Sequence, residues 1–114
     1  MTQFILLIKG GYEADKEFTP EEQQAAIQRY RDWANSLRQR NCLIEAVKLT
    51  NKDGTRLVKR DGQIVVDGPF AETKETIGGY YIIEANSYEE MLQIAQESPI
   101  FDEGGTLEIR QIEN

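Results

Sequence analysis

The chain has 114 residues, no histidine, one cysteine and a net charge of −7 at pH 7. The length suits a single domain, residues 1–114, with one core of modest size. The acidic balance argues against a nucleic-acid surface, and the missing histidine rules out Ser-His, Cys-His and His-metal chemistry within one chain. In chain order, Phe4 to Ile8 (FILLI) comes first, an apolar run rich enough for a buried strand and far too short for a membrane span. Phe4, Leu6 and Ile8 face one way; Ile5 and Leu7 face the other. Thr19-Pro20-Glu21-Glu22 predicts a helix start, with Thr19 as cap, Pro20 in the first turn and Glu22 closing a capping box. Ala26, Ile27, Tyr30, Trp33, Ala34 and Leu37 then recur at helical spacing to an end near Arg40-Asn41. The nearby arginines Arg29, Arg31, Arg38 and Arg40 read as the wet face of that helix.

A strand from about Cys42 to Leu49 follows, then a turn at Asn51 to Gly54. Asp61-Gly62 between Arg56–Arg60 and Gln63–Asp67 is a hairpin signal, setting Leu57 opposite Val66 and Val58 opposite Val65. Gly79 to Ala85 (GYYIIEA) is a second buried strand. Ser87 and Glu90 cap a helix that runs to about Ser98, with Tyr88, Met91, Leu92 and Ala95 inward and Pro99 ending it. Thr106 to Ile112 is the last strand, Leu107 and Ile109 inward. The order predicts an α+β, ferredoxin-like βαββαβ plan with an added β-hairpin. Because FILLI and YYIIE are apolar on both faces, the face away from the helices needs a cover, and a second copy packed sheet to sheet supplies it. A homodimer is expected; the alternative cover is the hairpin arm.

The chemistry-bearing residues cluster after the hairpin. Asp67-Gly68-Pro69-Phe70 reads either as a bend capped by the Asp67 carboxylate or as a carboxylate at the mouth of a cleft, where it acts as a base or binds a polar group. Glu72-Thr73-Lys74-Glu75 reads as solvated loop, or as a place where Lys74 pairs with Asp67 or takes an anion and Glu72 adds a carboxylate. Gly78-Gly79 is a bulged strand entry, or a point of close backbone approach by a ligand. Tyr80 and Tyr81 alternate across the sheet, so one packs with the helices and the other is free to line a cavity. Cys42 reads as a small buried hydrophobe. No phosphate- or dinucleotide-binding glycine motif occurs, and no cofactor or metal is expected. The start lacks a basic region and a cleavage site, and the lone cysteine fits a reducing compartment, so a cytoplasmic protein with no membrane or direct nucleic-acid contact is expected.

The stretch VVDGPFAETKETIGGYYIIEA resembles the signature of YCII-related proteins of the DGPF type, on Asp67 to Glu75 and Gly78 to Tyr81. FILLI, Thr19-Pro20-Glu21 and Gly105 to Arg110 fit the same pattern, so the resemblance covers nearly the whole chain. It implies a dimeric α/β barrel. It also implies kinship with small-molecule lyases and dehalogenases, and for the DGPF type an association with extracytoplasmic-function sigma factors. Other branches carry a catalytic His-Asp pair, and many DGPF-type proteins carry a histidine before the last strand; here that place reads Phe101-Asp102-Glu103-Gly104-Gly105. The expected function is a homodimeric small-molecule-binding protein with its pocket near the DGPF corner, Phe70, Glu72, Lys74, Tyr80 and Tyr81 being ligand-binding candidates. One alternative is a lyase-, isomerase- or dehalogenase-like enzyme with Asp67 as catalytic base. Another is an accessory interaction module linked to a sigma factor.

Overall fold

A computed structural model describes residues 1–10, 19–50, 54–67 and 77–113. Strand β1 (Thr2–Lys9) leads to helix α1 (Pro20–Gln39) and strand β2 (Leu43–Lys48). Strands β3 (Leu57–Arg60) and β4 (Gln63–Val66) form the hairpin, and β5 (Ile77–Ala85), α2 (Tyr88–Ala95), a 3₁₀ helix (Pro99–Glu103) and β6 (Thr106–Gln111) complete the chain. The main sheet has the order β2-β5-β1-β6 with every neighbouring pair antiparallel, and β3–β4 is a separate two-stranded sheet.

Local chemistry explains the boundaries. The Thr19 hydroxyl accepts from the Glu22 amide at 3.1 Å, and the Glu22 carboxylate accepts from the Thr19 amide at 3.4 Å. Two of the amides orphaned at the helix start are thereby satisfied. Ser87 caps α2 in the same way, accepting from the Glu90 amide at 3.1 Å, but the Glu90 carboxylate reaches the Asn86 amide instead of its cap. The α2 helix stops at Ala95, earlier than the apolar spacing predicts. Ser98 is committed elsewhere, its hydroxyl accepting from the Ile100 amide to cap the 3₁₀ helix that Pro99 opens. In the hairpin, Leu57 pairs with Val66 and Val58 with Val65, as the Asp61-Gly62 turn requires. Asp61 (φ 50°) and Gly62 (φ 79°) both take the left-handed backbone of that turn.

Both helices lie on one face of the sheet. Phe4, Leu6, Tyr81 and Ile83 from the strands pack there against Trp33, Leu37, Met91 and Ile94. Each such burial contributes about 1.5–3 kcal/mol. Ile94 belongs to the core, whereas Leu92 and Tyr88 do not; both are exposed. Tyr88 lays its ring edge-on against Phe4 and donates its hydroxyl to the Ile109 carbonyl. Cys42 is buried and donates to the Leu37 carbonyl at 3.4 Å, and burial pushes its thiol pKa up. It is an inert core residue.

The other face carries Ile5, Leu7, Val47, Tyr80 and Ile82, all half-buried. Ile5 sits opposite Ile82, and Tyr80 lies between Leu7 and Val47, so these side chains form one apolar patch across three strands. The Cα extents of 49 × 42 × 18 Å are those of a slab. On the hairpin, Leu57, Ile64 and Val66 are exposed on one face.

Candidate functional site

Asp67 follows the last residue of β4, and the hairpin base is built around it. Its amide donates to the Arg56 carbonyl at 2.7 Å. Its carboxylate accepts from Arg56 Nη2 at 2.5 Å and from Arg60 Nη2 at 2.9 Å. The Asp67 side chain is only 9% exposed, while those of Arg56 and Arg60 are 65% and 62% exposed. The seal over the carboxylate is therefore thin, and water screens the pairs. The Arg56 hydrogen bond, offset in part by desolvation and reinforced by Arg60, holds the Asp67 carboxyl below the usual carboxylate range. That direction is opposite to the raised pKa that the catalytic reading of Asp67 needs for a general base at neutral pH, and the carboxylate bonds to both Arg56 and Arg60 at the base of the hairpin. Phe70, Glu72 and Lys74, together with Gly68 and Pro69, lie outside the described residues.

The two tyrosines separate as alternation demands. Tyr80 lies on the open face of the sheet. Tyr81 faces the helices, its ring meeting Trp33 edge-on with centroids 4.9 Å apart. Burial raises the Tyr81 pKa and the positive charge of Arg38 opposes the rise, so at neutral pH the phenol keeps its proton. Gly79 is needed for close packing between strands: a Cβ there would stand 2.6 Å from the Val47 carbonyl oxygen. The close approach at the Gly-Gly pair is thus made by the neighbouring strand β2.

Beside Tyr81 and the Gly78-Gly79 pair, α1 and the sheet part to leave a cleft of about 620 Å³. Ile8, Ile27, Ala34, Ala46 and Ile100 give it an apolar lining, and Tyr30, Arg31, Arg38, Lys48 and Glu103 give it polar points. Asp67 does not line it. The Tyr30 hydroxyl donates to Glu103 Oε2 at 3.2 Å. The volume and lining are those of a small-molecule pocket. Among the described residues no group of three or more His, Cys, Asp or Glu side chains converges to hold a metal.

A model of the YCII-related domain matches residues 3–114. The chain belongs to the YCII-related family. An uncharacterised protein of Rhizobium meliloti (strain 1021) is 44% identical over 50 residues, a stretch covering 43% of this chain and 40% of that protein's length. Among solved structures, the chain is similar to the 5-chloro-2-hydroxyhydroquinone dehydrochlorinase of Burkholderia phenoliruptrix in complex with 2,5-dihydroxybenzoquinone, at 17% identity and a TM-score of 0.48, over 97% of this chain and 93% of that one.

Within this YCII-related chain the sequence directs attention to Asp67 and the tyrosines, and the cleft adds Tyr30, Arg31, Arg38 and Glu103. The signal for the α1 residues was present: Ile27, Arg31, Ala34 and Arg38 recur at helical spacing, one stripe over from the core stripe of Ala26, Trp33 and Leu37. Glu103 has no such signal, because a 3₁₀ helix in a short connection brings it to the cleft. No described helix is long and apolar enough to cross a membrane.

Proposed function

We propose that this YCII-related chain is a homodimeric small-molecule-binding protein. Its ferredoxin-like βαββαβ body carries the hairpin as an arm, and two copies pack sheet to sheet as a dimeric α/β barrel. The ligand occupies the cleft between α1 and β5, beside Gly78 and Gly79. The cleft itself is the observation that carries this reading: about 620 Å³, apolar in lining, with a few convergent polar groups. The half-exposed patch of Ile5, Leu7, Val47, Tyr80 and Ile82 supports the dimer, since leaving such side chains wet costs about 1.5–3 kcal/mol each. The enzyme alternative with Asp67 as base has weaker support, because two arginines occupy that carboxylate and keep it ionised.

A thermal-shift screen against small carboxylic acids and phenols tests the reading, with Ala46→Phe alongside. Ala46 is exposed on the cleft wall, so the larger ring enters the cleft and leaves the core alone. A ligand at about 100 times its Kd stabilises the folded state by about 2.7 kcal/mol. Compounds that raise the melting temperature of the native chain and not of Ala46→Phe are expected; the absence of any hit at millimolar concentration would sink the proposal.

A further inference from the structure

The hairpin arm presents an apolar face to water. Leu57 stands opposite Val66 and Lys59 opposite Ile64, so these four side chains share one face of β3–β4. Leu57, Ile64 and Val66 are 61–66% exposed there. The two strands join no larger sheet, and among the described elements they pack extensively on each other alone. A two-stranded hairpin by itself is marginal in water, and a cluster of large exposed apolar side chains marks a docking surface. The base of the arm is nevertheless fixed, because the Asp67 carboxylate holds both Arg56 and Arg60. A preformed arm docks at a lower entropic cost than one that must first be ordered.

A second copy of this chain fits the arm on three counts. The first is area. Strands β1, β2, β5 and β6 have 8, 6, 9 and 6 residues, and by alternation about half of these face the open side of the sheet. A stable interface takes roughly 20–30 residues a side. The sheet face alone falls short of that, and the arm supplies part of the difference. The second is charge. Arg56, Lys59 and Arg60 outnumber Asp61 and Asp67, so a net positive arm belongs to a chain whose charge is −7. The arm of one copy is therefore complementary to the body of another. The third is a pair of charges left over. On the open face, Glu84 accepts from Gln3 Nε2 at 3.5 Å and Glu108 pairs with Lys9 at 3.2 Å. Glu45 lies on the same face, opposite Ile82 on the edge strand β2, and has no side-chain partner among the described residues. Lys59, in the apolar face of the arm, has none there either.

We infer that the arm of each copy closes over the β2 edge of the other copy's open sheet face. Leu57, Ile64 and Val66 pack against the rim of the apolar patch, and Lys59 pairs with the partner subunit's Glu45. This rests on the reading of the chain as a sheet-to-sheet dimer and adds the element that clasps it.

A charge exchange between two copies, followed by sedimentation equilibrium of the full chain, tests it. Lys59→Glu and Glu45→Lys each set like charges against one another and are expected to raise the dimer Kd about tenfold or more. An equimolar mixture of the two variants is expected to dimerise about as tightly as the native chain, because in the mixed dimer both arm contacts oppose unlike charges. Ile64→Ser, which trims the exposed apolar face, is expected to weaken the dimer as well. All three positions are exposed, so circular dichroism should show each variant folded. A mixture no tighter than either variant alone, with affinity recovered only when both substitutions sit in one chain, would mean that the arm lies on its own sheet and overturns the inference. A native dimer that Ile82→Glu dissociates and the arm variants leave unchanged overturns the clasp alone. A native protein that sediments as a monomer overturns the clasp and the dimer reading together.

Discussion

Arg56 and Asp67 join the base of the hairpin twice, once through the backbone, amide to carbonyl at 2.7 Å, and once through the side chains, guanidinium to carboxylate at 2.5 Å. Arg60, at the far end of β3, adds a third link. The arginines lower the Asp67 pKa in the folded state, so the carboxylate stabilises the arm above the unfolded value of about 3.9, and that contribution is lost as pH falls through the folded pKa. Asp67→Asn is therefore expected to melt at a lower temperature than the native chain from about pH 5 upward. The gap should narrow below about pH 4 and close once the native carboxyl is protonated. Melting curves of both proteins between acidic and neutral pH check this. Because the arginines are largely exposed, added salt should also narrow the gap at pH 7. A gap that persists unchanged into strong acid would mean Asp67 acts through its shape.

The Gly78-Gly79 pair separates into a tolerant and an intolerant position. A Cβ on Gly78 meets nothing closer than the Ile8 carbonyl oxygen at 4.0 Å, whereas one on Gly79 meets the Val47 carbonyl oxygen at 2.6 Å. The obstacle at Gly79 is backbone and cannot swing away, so the β2–β5 ladder has to shift. Gly79→Ala is expected to destabilise by about 1–3 kcal/mol. Gly78→Ala is expected to be neutral or to stabilise by up to about 1 kcal/mol, through a less flexible unfolded chain. Urea unfolding of the two variants beside the native chain decides it, and equal losses would refute the steric account.

What could be read directly from the residues was what local rules govern. The Thr19 cap, the Asp61-Gly62 turn with its register, and the alternation of FILLI and GYYIIEA all depend on neighbours a few residues apart, and each stands in the structure as read. The failures lie where distant segments compete. Ser98 looks like the end of a helix until the 3₁₀ helix claims its hydroxyl. Arg31 and Arg38 are exposed, as read, but that they also border a cleft depends on where the sheet approaches α1. The partners of the Asp67 carboxylate were not legible, because Arg56 and Arg60 reach it across the hairpin. The cleft was opaque for the same reason: its walls include α1 and a 3₁₀ helix some seventy residues apart, Tyr30 meeting Glu103 with a sequence separation of 73.

Helix α2 gives a sharp test of which face is inside. Apolar spacing makes Leu92 a core residue; the fold instead buries Ile94, leaving it 3% exposed against 39% for Leu92. Ile94→Ala removes packed volume from a site enclosed by the sheet and should cost about 2–5 kcal/mol. Leu92→Ala trims a partly wet side chain and should cost well under half of that. Chemical denaturation of the two single variants measures the difference, and the opposite ranking would mean that α2 is rotated about its axis.

Ile82 and Ile5 face each other at the middle of the open sheet face, with Tyr80 and Leu7 beside them. In the proposed dimer this pair lies in the water-free centre of the interface, where a charge without a partner is strongly disfavoured. In a monomer the same position is half-exposed, and a carboxylate there reaches water. Ile82→Glu is therefore expected to yield folded protein that sediments as one 13.1 kDa chain, while the native protein sediments at twice that mass. Circular dichroism confirms that the variant keeps its fold. Glu89→Lys, exposed on α2 and so on the opposite side of the sheet, is the control; it exchanges one exposed charge for another and should leave the dimer intact. A native protein that sediments as a monomer would refute the sheet-to-sheet assembly, and the half-buried patch would then need a different occupant.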